Sequence, residues 1–315
     1  MPANVETMMY HGKLPWHGLG TKLGDEHLYD IDAGLVAAGL DWQAEKIGLV
    51  TADTATEVPA YGVRRVTDGK VIGVVGPRYH ILQNREAFNW FKPFLAAREA
   101  MLHTAGSLNE GARVWVLAKL NKDPIEVAAG DTVEKYILLS HSHDGTLSVR
   151  VGFTPVRVVC VNTLAMAHSN AASKLIRIRH SRSVVANLES IRDVMNLANQ
   201  EFEATAAQYR HLATRQINQN DLVKYVKKVL NVPEGEELSP RNRNIIESVL
   251  EKCEYGMGNN NPAVSGTWWT AYNGITEYLS YERGHNSNTR LNSLWFGSNA
   301  TTNKNALDLA VSLSA

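Results

Sequence analysis

Gly111-Ala112-Arg113-Val114-Trp115-Val116-Leu117-Ala118 is the stretch that decides the fold. Val114, Val116 and Ala118 alternate with Arg113, Trp115 and Leu117, which predicts a strand buried on much of both faces. Val133 to Ser140 reads as a second strand, and Leu147 to Val161 as one long or two consecutive strands around Pro155. Asp144-Gly145 lies between them as a hairpin turn. Toward the N-terminus, Val58 to Val66 and Val71 to Val75 flank Thr67-Asp68-Gly69-Lys70, a second Asp-Gly hairpin signal. Asn84 is placed to cap a helix running to about Met101, kinked or bounded at Pro93. The first forty or so residues, punctuated by Gly12, Gly18, Gly20 and Gly24, read mostly as loop, with a short helix over Asp32 to Leu40.

Beyond residue 186 the period becomes helical. Helices are predicted over Asn187 to Thr214, Asp221 to Leu230, Ser239 to Lys252 and Thr267 to Arg283, with an acidic loop at Pro233 to Glu237. On the last helix Trp268, Tyr272, Ile275 and Leu279 share one face and read as core. Strands first and helices second predict an α+β protein. Its first half is a largely antiparallel sheet with helices packed on it, and its C-terminal part is mostly helical. The expected division is a β-rich core with an N-terminal loop region over 1–186 and a helical region over 187–315, which could pack with the core as one body.

The 315 residues are 44% hydrophobic and 20% charged, with 32 basic side chains against 32 acidic ones. No apolar run is long enough to span a bilayer, and no basic-then-apolar leader begins the chain. Only Cys160 and Cys253 are present, which excludes a disulfide framework. These features predict a soluble protein of the cytoplasm. The neutral total conceals an uneven layout: Gly145 to Leu188 contains no acidic residue but holds Arg150, Arg157, Lys174, Arg177, Arg179 and Arg182. A second acid-free stretch runs from Arg283 to Leu307.

Within the first window, Ile176 and Ile178 alternate with Arg177 and Arg179. As a strand, this puts isoleucines on one face and guanidinium groups on the other, about 7 Å apart, close to the spacing of successive phosphates on one nucleic-acid strand. A charged edge strand that resists aggregation has the same pattern. Trp295, between Arg290 and Lys304, is a candidate ring for base stacking, and a packed aromatic pinning the tail is the alternative. No phosphate-binding loop, dinucleotide fingerprint, zinc-type cysteine pair or nucleophile elbow is present. His141-Ser142-His143-Asp144 could supply a metal site, because alternate histidines on a strand face one side, with His168 or His180 as further ligands. A polar turn before Gly145 explains the same residues. Cys160 reads as buried and inert.

Several segments together resemble a known family. They are Pro15 to Gly20, Gly76-Pro77-Arg78-Tyr79, Ser142-His143-Asp144-Gly145, Phe153 to Leu164, Trp269-Thr270-Ala271-Tyr272-Asn273 and Trp295-Phe296-Gly297. The resemblance, over nearly the whole chain, is to the phage- and plasmid-related "domain of unknown function 932" family. It implies a mobile-element origin and a bacterial host cytoplasm, and it implies no catalytic residue.

The expectation is a nucleic-acid-binding protein of phage or plasmid DNA metabolism, with single-stranded DNA binding, annealing or recombination as its roles. Arg150, Arg157, Lys174, Arg177, Arg179, Arg182 and Trp295 are the candidate binding residues. Annealing would also require a homo-oligomer. No cofactor is expected, no metal is assigned and no membrane partner is implied. The alternatives are a metal-assisted hydrolase working through His141, His143 and Asp144, and a non-enzymatic protein-interaction factor.

Overall fold

The structure is a computed structural model that describes residues 5–12, 18–157, 162–163, 176–190, 195–232, 238–284, 290, 293–294 and 297–315. The fold is α+β, and the chain forms two compact units. One is drawn from residues 1–122, 136–153 and 175–196, the other from 123–135, 154–174 and 197–315.

In the first unit, β1 (Val5–Tyr10) pairs in parallel with β2 (Thr21–Lys22) and antiparallel with β6 (Ala100–Leu108). β6 pairs with β7 (Arg113–Leu120), and β7 with the later part of β9 (Asp131–Ser142). β10 (Val149–Arg157) lies beside β9 and carries β12 (Ile176–Ile178) antiparallel to it. β7 is buried on both faces as its alternation predicts, with Val114, Trp115 and Val116 each 1% exposed or less. The N-terminal segment departs from the predicted loop, because Val5–Tyr10 is a full sheet strand. Its Glu6 and Thr7 dilute the apolar signal, and its place in the sheet comes from a partner a hundred residues away.

A smaller antiparallel sheet contains β3 (Ala44–Val50), β4 (Glu57–Arg65) and β5 (Val71–Val75). Asp68-Gly69 makes the β4–β5 turn as predicted: Gly69 has φ +70°, and the Asp68 carboxylate accepts from the Lys70 amide at 3.1 Å. Helix α1 (Ile31–Ala37) is capped by the Asp30 carboxylate. The helix predicted from Asn84 to Met101 is instead α2 (Asn84–Asn89) followed by α3 (Lys92–Ala96), and the chain is already in β6 at Ala100. Pro93 in the first turn of α3 enforces the restart. The cap is Gln83, which forms a capping box with Glu86 and brackets the backbone of Ala44 through both amide atoms, at 3.0 and 2.8 Å. α4 (Val184–Ser190) follows β12, and its Leu188 carbonyl accepts from Trp90 Nε1 at 2.8 Å.

The second unit is mostly helical. β8 (Ile125–Ala128) pairs with the start of β9, and β11 (Asn162–Thr163) with the end of β10. The helix predicted over 187–214 is described as α4 and α5 (Met195–Thr214), either side of 191–194. α6 (Gln219–Val229), α7 (Pro240–Tyr255), α8 (Trp268–Tyr281) and α9 (Ser298–Leu313) are further helices of this unit. α8 is buried around nearly its whole circumference rather than on one stripe. Trp269 donates to the buried Asp131 carboxylate at 2.7 Å, and its ring lies 4.9 Å from that of Tyr209. Gly274 lets α7 approach closely, since a Cβ there would stand 2.4 Å from Cys253 Sγ.

β5 presses on the turn after β9: a Cβ on Gly73 would lie 2.3 Å from Asp144 Cα. Gly73→Ala is therefore expected to cost about 1–3 kcal/mol by overpacking against backbone. Gly48→Ala, with nothing within 4 Å of the new methyl, should be neutral or slightly stabilising. Denaturant unfolding of the two variants beside the parent checks both.

Candidate functional site

Two constellations lie near the β9–β10 turn of the first unit, one of arginines and one of histidines. The first is set by strand register. β10 and β12 pair Val149 with Ile178, Arg150 with Arg177 and Val151 with Ile176. Val149, Val151 and Ile178 are buried, whereas Arg150 is half-buried and Arg177 exposed. The alternation predicted for Ile176 to Arg179 is thus realised, and Arg177 stands directly across from Arg150. Arg113, at the start of β7, is a third member. Its Nε and Nη2 donate to Thr146 Oγ1 at 3.3 and 3.1 Å. Burial lowers the Arg150 pKa first, and the positive charges of Arg177 and Arg113 lower it further. Arg179 and Arg182 follow β12 and are exposed. The Arg157 side chain, Lys174 and Trp295 lie outside the described residues, as do His168 and Cys160. Arg113 was not singled out in the sequence because it lies outside the acid-free window, and only strand pairing brings it near Arg150.

The histidine constellation is buried. His141 and His143, two apart on β9, put their rings on one side as the strand period requires, with centroids 4.9 Å apart at 81°. His180, just after β12, brings a third ring 6.2 Å from that of His141. The first two residues are 0% exposed and His180 9%. Tyr79 stacks on His180 at 4.5 Å and donates its hydroxyl to the Ser142 carbonyl. His80 and His180 clasp each other: the His80 amide donates to the His180 carbonyl at 2.9 Å, and His180 Nδ1 lies 3.1 Å from the His80 carbonyl. His143 Nε2 meets Asn84 Oδ1 at 3.0 Å, and the Trp42 ring packs 5.1 Å from that of His143. Asp144 instead folds back on its own turn, its carboxylate accepting from the Thr146 amide at 2.9 Å and the Thr146 hydroxyl at 2.6 Å.

Two segments that carry the family resemblance, Gly76 to Tyr79 and Ser142 to Gly145, therefore meet at His180. A sequence model of the family described as "Domain of unknown function (DUF932)" matches residues 71–305. The chain belongs to the DUF932 family. The match takes in both constellations. No curated protein and no solved structure matches the chain. Among the described residues of this DUF932 protein, no helix is long and apolar enough to cross a membrane.

Burial disfavours the charged form of all three imidazoles. Burial drives the His141 pKa well below its ordinary value, with the neighbouring His143 and His180 adding to the effect. Burial likewise pushes His143 down to about 3. For His180 burial outweighs the opposing carbonyls of His80 and Leu147. Because each folded value lies below the unfolded one near 6.5, the unfolded chain takes up protons first. Stability should therefore be intact above about pH 6.5 and fall as the pH drops from there toward 3, by about 1.4 kcal/mol per pH unit for each ring that titrates only on unfolding. Urea midpoints between pH 7.5 and 4, in chelator so that only protons compete for the rings, check the slope. His143→Asn should flatten it.

Proposed function

We propose that this DUF932 protein binds nucleic acid through its phosphate backbone, with single-stranded DNA of a phage or plasmid as the substrate and the bacterial cytoplasm as the setting. The observation that carries the reading is the opposition of Arg150 and Arg177 across β10 and β12, with Arg113 close enough to act on the same guanidinium. Like charges directly opposite on paired strands are destabilising, and half-burying one of them adds a desolvation cost. A bound phosphate reverses both terms, and the planar guanidinium fork matches its oxygens in bidentate fashion. Arg179 and Arg182, both exposed, extend the positive surface along the chain beyond β12. No base-reading element is evident in the sequence, so recognition rests on backbone charge, with Trp295 as a stacking ring.

A hydrolase working through His141 and His143 is less well supported by the geometry. Both residues are wholly buried, whereas metal-assisted hydrolysis needs a ligand position open to substrate.

Fluorescence anisotropy with labelled single- and double-stranded oligonucleotides at two salt concentrations tests the proposal. If Arg113, Arg150, Arg177 and Arg179 each neutralise a phosphate, log K should fall with log salt with a slope of about −3 on single strands. Arg177→Gln should weaken binding and reduce that slope while leaving stability unchanged or slightly raised, because a like-charge opposition is relieved. Absence of binding at low salt, or an Arg177→Gln affinity equal to the parent's, would overturn the reading.

A further inference from the structure

The first unit also holds a cavity of about 570 Å³, within the size range of small-molecule sites. It is lined by Tyr29 and Ile31 from the start of α1 and by Arg85, Asn89, Lys92 and Leu95 from α2 and α3. The support behind Tyr29 marks the cavity as built. α3 ends in a Schellman turn, in which the Glu99 amide donates to the Phe94 carbonyl at 2.9 Å and the Arg98 amide to the Leu95 carbonyl at 3.1 Å. The left-handed position of such a turn is ordinarily glycine, but here it is Arg98, at φ +57°. The strained arginine sets its guanidinium 3.7 Å from the centre of the Tyr29 ring. Asn121 Nδ2 donates both to the Arg98 carbonyl at 2.9 Å and to the Tyr29 hydroxyl at 3.1 Å. The ring is thus fixed at its hydroxyl and on one face before any ligand arrives.

The cationic groups of the lining are available. Lys92 is exposed and has no ion pair or hydrogen bond among the described residues. Arg85 Nη1 donates to the Asp32 carboxylate, an exposed pair that water screens, and the rest of its fork is open to a ligand. Asp30, the other acid of the lining, accepts from the amides of Asp32 and Ala33 at 2.9 and 3.1 Å. The cavity therefore combines a fixed aromatic ring, the apolar side chains of Ile31 and Leu95, and two cations within reach of one ligand. Its complement is a flat body joined to a compact anion: a plain hydrocarbon gains nothing from Lys92, and inorganic phosphate gains nothing from Tyr29. We propose that this cavity binds a nucleoside monophosphate. The base extends the stack of Arg98 on Tyr29. The phosphate is held by Lys92 and by Arg85, which exchanges Asp32 for it. A free nucleotide and the 5′-phosphorylated end of a nucleic-acid strand present this same chemistry. The site shares no residue with the opposition of Arg150 and Arg177.

The test uses the full chain and isothermal titration calorimetry with deoxyadenosine monophosphate, beside deoxyadenosine and inorganic phosphate as its two parts. One equivalent of the nucleotide should bind about 10-fold or more tightly than either part. Lys92→Ala, at an exposed position, should weaken it about 10-fold through loss of a charge-assisted contact. Asp32→Asn should tighten it several-fold, since it frees Arg85 and removes a negative charge beside the phosphate. Arg98→Gly puts the favoured residue into the left-handed turn, so the melting temperature should hold or rise while nucleotide affinity falls. An Arg98 that served the fold alone would leave that affinity unchanged. Arg177→Gln should bind the nucleotide as the parent does, so failure of the strand-binding reading and failure of this site are told apart. Displacement of the nucleotide by a 5′-phosphorylated oligonucleotide but not by its 5′-hydroxyl counterpart identifies strand ends as the source, and displacement by neither identifies the free nucleotide. No heat at millimolar nucleotide, equal affinity for inorganic phosphate, or unchanged affinity in Lys92→Ala would each overturn the site.

Discussion

A buried imidazole is tolerable only while it stays neutral, and this constraint organises the region around the β9–β10 turn. Three such rings lie together, so a proton on any one would be disfavoured by burial and by its neighbours. The surrounding elements bury the rings and fix their hydrogen bonds. Asn84, at the start of α2, is held by the Leu40 carbonyl and holds His143 in turn. Tyr79 covers His180, and the backbone at residue 80 meets it on two sides. Gly73 allows β5 to lie against the turn that follows His143. Each of these is a local choice of residue whose reason is found in another element.

The guanidinium constellation shows the opposite arrangement. There the charge is retained, although burial and like-charged neighbours both oppose it. Arg177 stands opposite Arg150 in the β10–β12 register. The register that puts Arg177 there also buries Ile178 and Val149, so the arginines cannot slip to another partner without exposing that core. Core packing on one face of β12 thus fixes the charge pattern on the other.

Much of the fold was legible in the sequence because it is written in short-range periodicity. The alternation of β7, the Asp-Gly turn at residues 68–69 and the helix from about Ser239 to Lys252 are local signals, and the structure repeats them. The failures were of the opposite kind. Nothing in Val5 to Tyr10 announces a sheet strand, because its pairing with β6 is decided at a distance. The run from Asn84 to Met101 has helical spacing throughout, yet Pro93 and the pull of β7 on the following residues divide it into two short helices and a strand. At the sites, strand period correctly put His141 beside His143 and Arg177 apart from Ile178. The roles of Arg113, Asn84 and Tyr79 were not legible, since each depends on a contact between residues some 30 to 100 positions apart.

The pairing of β1 with β6 also bears on how the chain is made. Met8 is opposite Gly106. During synthesis at about 5–20 residues per second, the first strand therefore leaves the ribosome roughly 5 to 20 seconds before its partner. For that interval its backbone donors and acceptors are unmatched, and Val5, Met8 and Met9, which end with 5% exposure or less, face water. Glu6 and Thr7, the residues that conceal the strand from a periodicity reading, interrupt its apolar run during that wait, and Glu6 later becomes the partner of the buried Arg65. The polarity that obscures β1 in the sequence thus protects it while it is being made.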